Sequence, residues 1–180
     1  MTESWPDTPP ATDLFAADLL EGETALITGG GTGIGRAVAL AYADLGADVA
    51  VASREIDHLE PVAPEIEDRG GSACATSVDV REPDRVESMV GTVIEELGEV
   101  TVLVNNAGAN FVTPTEGLSP NGRRSVVGTI LDGTAYCSMA VGEYMIGNDG
   151  GRSSRWGRRT PSGARRTTPT PGPGRLASTT

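Results

Sequence analysis

The strongest constraint on the fold is a regular alternation of short apolar runs and helical repeats. The run "TALIT" (24–28) is followed by glycines and then by "IGRAVALAYADLG", whose apolar residues recur at helical spacing. Three further apolar runs follow, each separated from the last by a helical segment: "DVAVAS" (48–53), "SACATSVDV" (72–80) and "VTVLVNN" (100–106). Continuous apolar strands that alternate with helices predict a parallel sheet covered on both faces.

The helical segments carry recognisable start and stop signals. Pro83 lies near the first turn of "EPDRVESMVGTVIEELG" and Gly98 ends it, which suits a capped helix. Segment 56–71 is predicted to be a helix interrupted by two prolines, and a last helix is predicted over about residues 120–146. Right-handed crossovers would order the strands 3-2-1-4. The predicted class is α/β, a Rossmann-like doubly wound parallel sheet that stops after the fourth strand and its helix, with no fifth strand.

The stretch "ITGGGTGIGRAV" lies between the first predicted strand and the first predicted helix. Gly29, Gly33 and Gly35 have no Cβ, so a phosphate could approach the backbone N–H groups closely. The helix N-terminus would offer unpaired donors and a partial positive charge to a pyrophosphate. Glycines alone also fit a plain turn, but their place between a strand and a helix favours a dinucleotide site.

Three stretches together resemble the short-chain dehydrogenase/reductase family: "TGGGTGIG" (28–35), "DV" (79–80) and "NNAG" (105–108). The resemblance covers about residues 20–150. It implies that Asp79 accepts a hydrogen bond from an adenine amino group, that Val80 packs on the ring, and that "NNAG" steadies the fourth strand and contacts the cofactor ribose. The residues expected to bind cofactor are Thr28, Gly29, Gly33, Ile34, Gly35, Ser53, Arg54, Asp79, Val80, Asn105, Ala107 and Gly108.

The choice of cofactor depends on the end of the second strand. An acidic residue there would bind the ribose 2′-hydroxyl and favour NAD. This chain has Ser53 and Arg54 instead, and a guanidinium suits a 2′-phosphate through bidentate, charge-assisted contacts. We therefore expect NADP(H) rather than NAD. The alternative is a surface Arg54 paired with Glu55 or Asp57, which would carry no such meaning.

A narrower resemblance lies in "NNAGANFVTPTEGLSPNGRRSVVGTILDGTAYC". This stretch is similar to the 2,4-dienoyl-CoA and trans-2-enoyl-CoA reductases, which implies NADPH, an unsaturated acyl-CoA substrate and a homo-oligomer. Asp132 stands where the dienoyl reductases carry asparagine, so the role of that asparagine is in doubt here. A dehydrogenase of the 3-oxoacyl reductase type stays open as an alternative.

The sequence lacks the catalytic residues that the family resemblance would require. The resemblance implies that a tyrosine, or a substitute for it, handles the proton together with a lysine one turn later on the same helix, and this chain contains no lysine. Tyr42, Tyr136 and Tyr144 do not match the required place, and His58 is expected to face solvent. We predict no catalytic residue, no metal site, and cofactor binding at best. The alternative functions are an inactive nucleotide-binding remnant and a nucleotide sensor.

Charge is distributed unevenly along the chain, with an acidic part followed by a basic one. Residues 1–150 hold all 25 acidic residues against seven arginines, whereas residues 151–180 hold seven arginines and no acidic residue. We expect an irregular arm (1–22), an incomplete dinucleotide-binding domain (23–150) and a disordered Arg/Pro/Gly-rich tail (151–180). A one-base slip near Gly150 would explain the tail, since the shifted frame permits an apolar strand and then a Lys-Ala-Gly-Val run. A nucleic-acid-binding arm is the disfavoured alternative, because its aromatic Trp156 stands alone.

The composition, the absence of targeting signals and the two cysteines indicate the environment in which the protein is expected to work. An acidic body without lysine is typical of halophilic proteins, in which ions screen carboxylate repulsion. No signal peptide and no membrane span are predicted, so we expect a cytoplasmic protein with no membrane partner. Cys74 and Cys137 are expected to be buried, reduced thiols.

Overall fold

Parallel strands form one sheet at the centre of the molecule. The structure, a computed structural model, describes residues 15–110, 114–147 and 152–155. The sheet has the order β3-β2-β1-β4-β5 and every pairing in it is parallel. Its strands are β1 (Thr24–Thr28), β2 (Asp48–Ser53), β3 (Ala73–Ser77), β4 (Val102–Asn105) and β5 (Arg152–Arg155). The predicted α/β Rossmann-like class and the order 3-2-1-4 of the first four strands are confirmed.

The crossovers between these strands are helical. The helices are α1 (Gly33–Asp44), α2 (Val62–Glu67), α3 (Pro83–Leu97), α4 (Pro120–Val127) and α5 (Gly133–Gly147). Short 3₁₀ turns lie at Ile56–His58 and Thr115–Gly117. Helix α3 has its proline in the first turn and ends at Gly98, whose φ of 86° is the left-handed conformation expected of a C-terminal glycine.

Two predicted helices are each divided in the structure. The helix predicted over 120–146 consists of α4 and α5 joined by a π-helical turn, Gly128–Asp132. The helix predicted over 56–71 is a 3₁₀ turn followed by α2. In the second case Pro61 is the N-cap residue of the six-residue helix α2, and Pro64 lies in its first turn. A missing N–H donor costs no intrahelical hydrogen bond at these positions.

The edge of the sheet differs from the prediction. Sequence analysis predicted no fifth strand and an irregular tail from residue 151, but β5 pairs with β4, with Arg152 opposite Val102 and Arg155 opposite Asn105. Strand pairing uses backbone groups, so a polar sequence can join an edge without the apolar pattern that identifies a strand. The rest of the predicted tail (156–180) and residues 1–14 of the predicted arm lie outside the described residues.

Alternate strand residues build an apolar core on each face of the sheet. One face packs against α3 and α5, and its buried residues include Leu26, Ala50, Val86, Leu103 and Val141. The other packs against α1 and α2 and includes Ile27, Ala39, Val49, Val51 and Ile66. Cys74 and Cys137 are free and buried in the first cluster, as expected, and burial raises their thiol pKa values to about 12 and about 11.

Helix α5 begins in close contact with the segment that follows β3. A Cβ added to Gly133 would lie 2.6 Å from Val80 Cγ2 and 3.2 Å from the Val80 carbonyl oxygen. The backbone of Gly133 is ordinary right-handed helix, with φ −59° and ψ −41°, so glycine is needed for space rather than for conformation. This contact fixes where the start of α5 meets the carboxyl edge of the sheet.

We expect Gly133→Ala to lower the free energy of unfolding by about 1–3 kcal/mol, because the new methyl group forces Val80 to move. The matched control is Gly142→Ala in the same helix, where an added Cβ meets nothing within 4 Å. That change should be neutral or stabilise by about 0.5–1 kcal/mol. Urea unfolding followed by circular dichroism measures both, and equal effects of the two substitutions would contradict the packing argument.

Candidate functional site

A cleft of about 200 Å³ opens at the carboxyl ends of the strands. In a parallel sheet this edge, where the strand order reverses beside the first strand, is where ligands bind. The segments after β1, β2, β3 and β4 all contribute to the cleft, together with Thr129 of the π turn. The predicted cofactor residues that line it are Gly29, Ser53, Arg54, Asp79, Val80, Ala107 and Gly108.

The glycine-rich loop packs against the end of β1 more tightly than any side chain would allow. A Cβ on Gly35 would lie 2.1 Å from the Gly29 carbonyl oxygen and 2.4 Å from Asn106 Nδ2. Gly29 itself has φ 70°, in the left-handed region that favours glycine. Together these two residues bring the start of α1 down onto the loop that borders the cleft.

Thr28 and Asn106 lock the loop after β1 to the loop after β4. The Thr28 hydroxyl oxygen accepts hydrogen bonds from the backbone N–H groups of Asn106 and Ala107, both at 3.1 Å. The Asn106 side-chain amide donates to the carbonyl oxygens of Thr28 and Gly29, also at 3.1 Å. Thr28 therefore joins two of the loops that border the cleft, but it is not among the residues that line the cleft.

Sequence analysis missed Asn106 as a site residue. The resemblance gave the whole "NNAG" stretch a supporting role, but only its neighbours were named as cofactor residues. The Asn105 side chain instead contacts α5, where its Nδ2 donates a hydrogen bond to the Ser138 hydroxyl, 3.1 Å away. Asn105 is absent from the cleft lining, so its contact with a cofactor stays a prediction.

Two serine hydroxyls hold the backbone at the end of β2. Ser53 donates to the Glu55 carbonyl oxygen at 2.9 Å, and Ser77 donates to the Arg54 carbonyl oxygen at 3.0 Å. The Arg54 side chain is exposed and borders the cleft. His58, which was expected only to face solvent, is exposed and lines the cleft as well. A 3₁₀ turn brings it there, and helical periodicity could not have predicted that position.

Asp79 lies on the opposite wall and is tied to Arg81. The Arg81 Nε donates to both carboxylate oxygens, at 2.9 and 3.0 Å, and the Arg81 backbone N–H donates to Oδ1 at 3.1 Å. These hydrogen bonds hold the pKa of Asp79 below its ordinary value, against a smaller opposing effect of burial. Asp79 is therefore a carboxylate, an acceptor without a proton to donate.

The first turn of α1 holds the other predicted residues. Gly33 starts the helix, Ile34 is 58% exposed, and Gly35 is buried against Gly29. None of these three residues is among those that line the cleft, so their contact with a cofactor stays a prediction. The residue before the helix, Thr32, makes no side-chain cap hydrogen bond.

The described residues offer few groups for proton chemistry or metal binding. Tyr136 and Tyr144 pack against the core cluster on the α5 face, and Tyr42 packs against the other cluster. Within the described ranges no group of three or more His, Cys, Asp and Glu side chains could hold a metal ion. None of the helices in the described part of the chain combines the length and apolarity that crossing a bilayer requires.

Residues 23–153 match the short-chain dehydrogenase family, which is most of the chain. Together with the parallel sheet and the glycine-rich loop at its carboxyl edge, this match shows that the chain belongs to that family. The chain resembles solved members closely. It superposes with a TM-score of 0.74 on a putative short-chain alcohol dehydrogenase from Sinorhizobium meliloti 1021, at 35% identity, covering 77% of this chain and 55% of the other.

Curated relatives include several reductases of unsaturated acyl-CoA. A probable 2,4-dienoyl-CoA reductase of Caenorhabditis elegans is 39% identical over 136 residues, which are 74% of this chain and 44% of the relative. A probable 2,4-dienoyl-CoA reductase of Bacillus subtilis (strain 168) is 35% identical over 127 residues, 71% of this chain and 50% of the relative. The chain thus spans about half the length of the curated relatives it matches.

Asn106→Asp should destabilise the fold by about 1–3 kcal/mol, because a carboxylate would replace an amide donor that faces two carbonyl oxygens. Asn106→Ala should cost less, since it removes the donor without adding repulsion. The control is Asn121→Asp on exposed α4, where Oδ1 already accepts from Arg124. Thermal unfolding ranks the three variants, and an Asn106→Asp variant as stable as Asn121→Asp would refute this role.

Proposed function

We propose that the cleft binds NADP(H) and that the chain provides the cofactor-binding part of a reductase acting on unsaturated acyl-CoA. The observation that carries the proposal is an exposed arginine, Arg54, in a cleft bordered by a glycine-rich loop. Among the described residues Arg54 takes part in none of the close ion pairs. Support for each part of the cofactor comes from a different strand end.

The pyrophosphate would bind at the loop after β1. The first N–H groups of any α-helix have no partner inside the helix, and they carry the positive end of its dipole. In α1 the N-cap residue Thr32 makes no side-chain cap hydrogen bond, and the first turn contains no acidic residue. Gly33 has open space where a Cβ would lie, which leaves the backbone accessible to a phosphate, whereas Gly35 packs against Gly29 and brings the start of α1 onto the loop.

The 2′-phosphate would bind at the end of β2. The ion pairs among the described residues join Arg36 to Glu65, Arg69 to Asp44, Arg81 to Asp79 and Arg85 to Glu82. Arg54 takes part in none of them, and so it is not engaged by Glu55 or Asp57. The charge of Arg54 acts on Asp79 across the cleft and helps to lower the pKa of Asp79, but no close ion pair among the described residues occupies the guanidinium. A guanidinium in this position supports NADP(H) over NAD.

Arg54→Gln should weaken NADPH binding about 10- to 100-fold, the effect of losing a charge-assisted hydrogen bond of about 1.5–3 kcal/mol. NADH binding should change little, because NADH has no 2′-phosphate. Arg85→Gln is the control, since Arg85 is an exposed arginine on α3 outside the cleft lining. Fluorescence titration with both nucleotides provides the affinities. Equal losses for NADPH and NADH would count against a 2′-phosphate site at Arg54.

The proposed substrate rests on the dienoyl-CoA reductase relatives and on the resemblance over residues 105–137, from which Asp132 departs. Bound NADPH would supply a hydride to a conjugated carbon–carbon bond. The described residues hold the nucleotide and orient it, through the α1 N-terminus, Arg54 and Asp79. The chain contains no lysine, so it has no ammonium group to lower the pKa of a proton-donating tyrosine.

The purified chain should therefore bind NADPH saturably without oxidising it in the presence of a 2,4-dienoyl-CoA. Fluorescence titration measures the binding, and absorbance at the nicotinamide band measures the oxidation against a protein-free control. An absence of binding would overturn the cofactor proposal. Oxidation above the control would overturn the argument from the missing lysine and leave the cofactor proposal standing.

A further inference from the structure

Most of the Arg81 guanidinium is hydrogen-bonded to one carboxylate, that of Asp79. Its Nε and Nη2 both donate to Asp79, and its backbone N–H adds a bond to the same group. The Arg81 side chain is 39% exposed and that of Asp79 is 16% exposed. An exposed ion pair alone would contribute little. This one differs because its carboxylate lines the cleft and is held from both the side chain and the backbone.

The remaining edge of the guanidinium faces the helical segment after β4. Nη1 donates to the Ser125 hydroxyl of α4 at 3.4 Å. Three residues further along the chain, a Cβ added to Gly128 would lie 3.5 Å from Arg81 Cδ, an ordinary van der Waals distance, so the first residue of the π turn lies beside the arginine stem. Arg81 therefore lies between the carboxylate in the cleft and the junction of α4 with the π turn.

We propose that Arg81 is a positioning residue that fixes Asp79 as the acceptor for the purine 6-amino group, with its own position set by α4 and the π turn. The inference rests on the proposed nucleotide function of the cleft and on the acceptor role that the family resemblance implies for Asp79, and it adds the role of Arg81. An ionised carboxylate has about four acceptor sites, and Arg81 presents three donor hydrogens to it, from Nε, Nη2 and the backbone N–H, so about one site is left for a further donor. Without the fork, Asp79 can rotate, and an adenine would lose its aligned acceptor.

The test uses the purified full chain and two nucleotides that differ at one purine position. NADP⁺ carries a 6-amino donor, whereas nicotinamide hypoxanthine dinucleotide phosphate carries a 6-oxo acceptor. The wild-type chain should prefer NADP⁺ by about tenfold or more, the effect of one hydrogen bond to a charged group. Arg81→Met should reduce that preference to about threefold or less, mainly by weakening NADP⁺ binding. Calorimetric titration measures both affinities.

Two further variants separate positioning from a general loss of structure. Arg85→Met removes an arginine of α3 that pairs with Glu82. This variant should keep the wild-type preference for NADP⁺. Arg81→Lys keeps the positive charge but not the planar fork, so it should show an intermediate preference. If Arg81→Met does not fold, as judged by circular dichroism, the lysine variant decides the question.

Each outcome bears on one claim. A wild-type preference retained in Arg81→Met, or in Arg81→Lys when that variant decides, would overturn the positioning role. Equal weakening of both nucleotides in Arg81→Met would also overturn it, because that result indicates a structural role alone. Failure of the wild-type chain to bind either nucleotide would instead overturn the proposed function of the cleft.

Discussion

The approach of α1 to the end of β1 determines the rest of the site. It depends on one contact between backbones, in which Gly35 reaches the carbonyl oxygen of Gly29 at a distance that excludes any Cβ. The Asn106 amide then bonds that same carbonyl oxygen and its neighbour, so the ends of β1 and β4 are held as one unit. Because the helix N-terminus, the loop and β4 are joined in this way, the cleft is shaped before any ligand enters it.

The wall on the other side of the cleft depends on a second close approach of a glycine. Gly133 allows α5 to contact Val80, and Gly128 of the π turn lies beside Arg81 with space for an ordinary contact. The two residues after Asp79 are thus flanked by the helical segment that follows β4. A π turn often marks a functional site. Here it contributes Thr129 to the cleft, so the helix after β4 and the loop after β3 form one wall.

Much of the fold could be predicted from sequence, since buried parallel strands are continuous apolar runs and glycine and proline mark the helix ends. In the site, residue type led to Arg54 and Asp79, which the structure places in the cleft, and their contacts with a cofactor stay predictions. Gly35 was expected to admit a phosphate, but it packs against Gly29 instead. The hydrogen bonds of Asn106 join residues about 77 positions apart, and no local pattern reports them. The same holds for Arg81, whose contacts with Asp79 and α4 depend on how the elements pack. Strand β5 was missed because backbone pairing requires no apolar sequence.

The π turn also constrains how this protein can vary. Each residue advances an α-helix by about 100°, so the extra residue in a π turn changes the direction in which all later side chains point. In α5 the buried stripe is Cys137, Val141 and Met145, spaced four apart. Deleting one residue from Gly128–Asp132 would rotate that stripe out of the core. The length of the π turn is therefore fixed by the packing of α5 in the core, although the turn itself is largely accessible to solvent. Insertions or deletions should be tolerated in other surface segments before they are tolerated in this one.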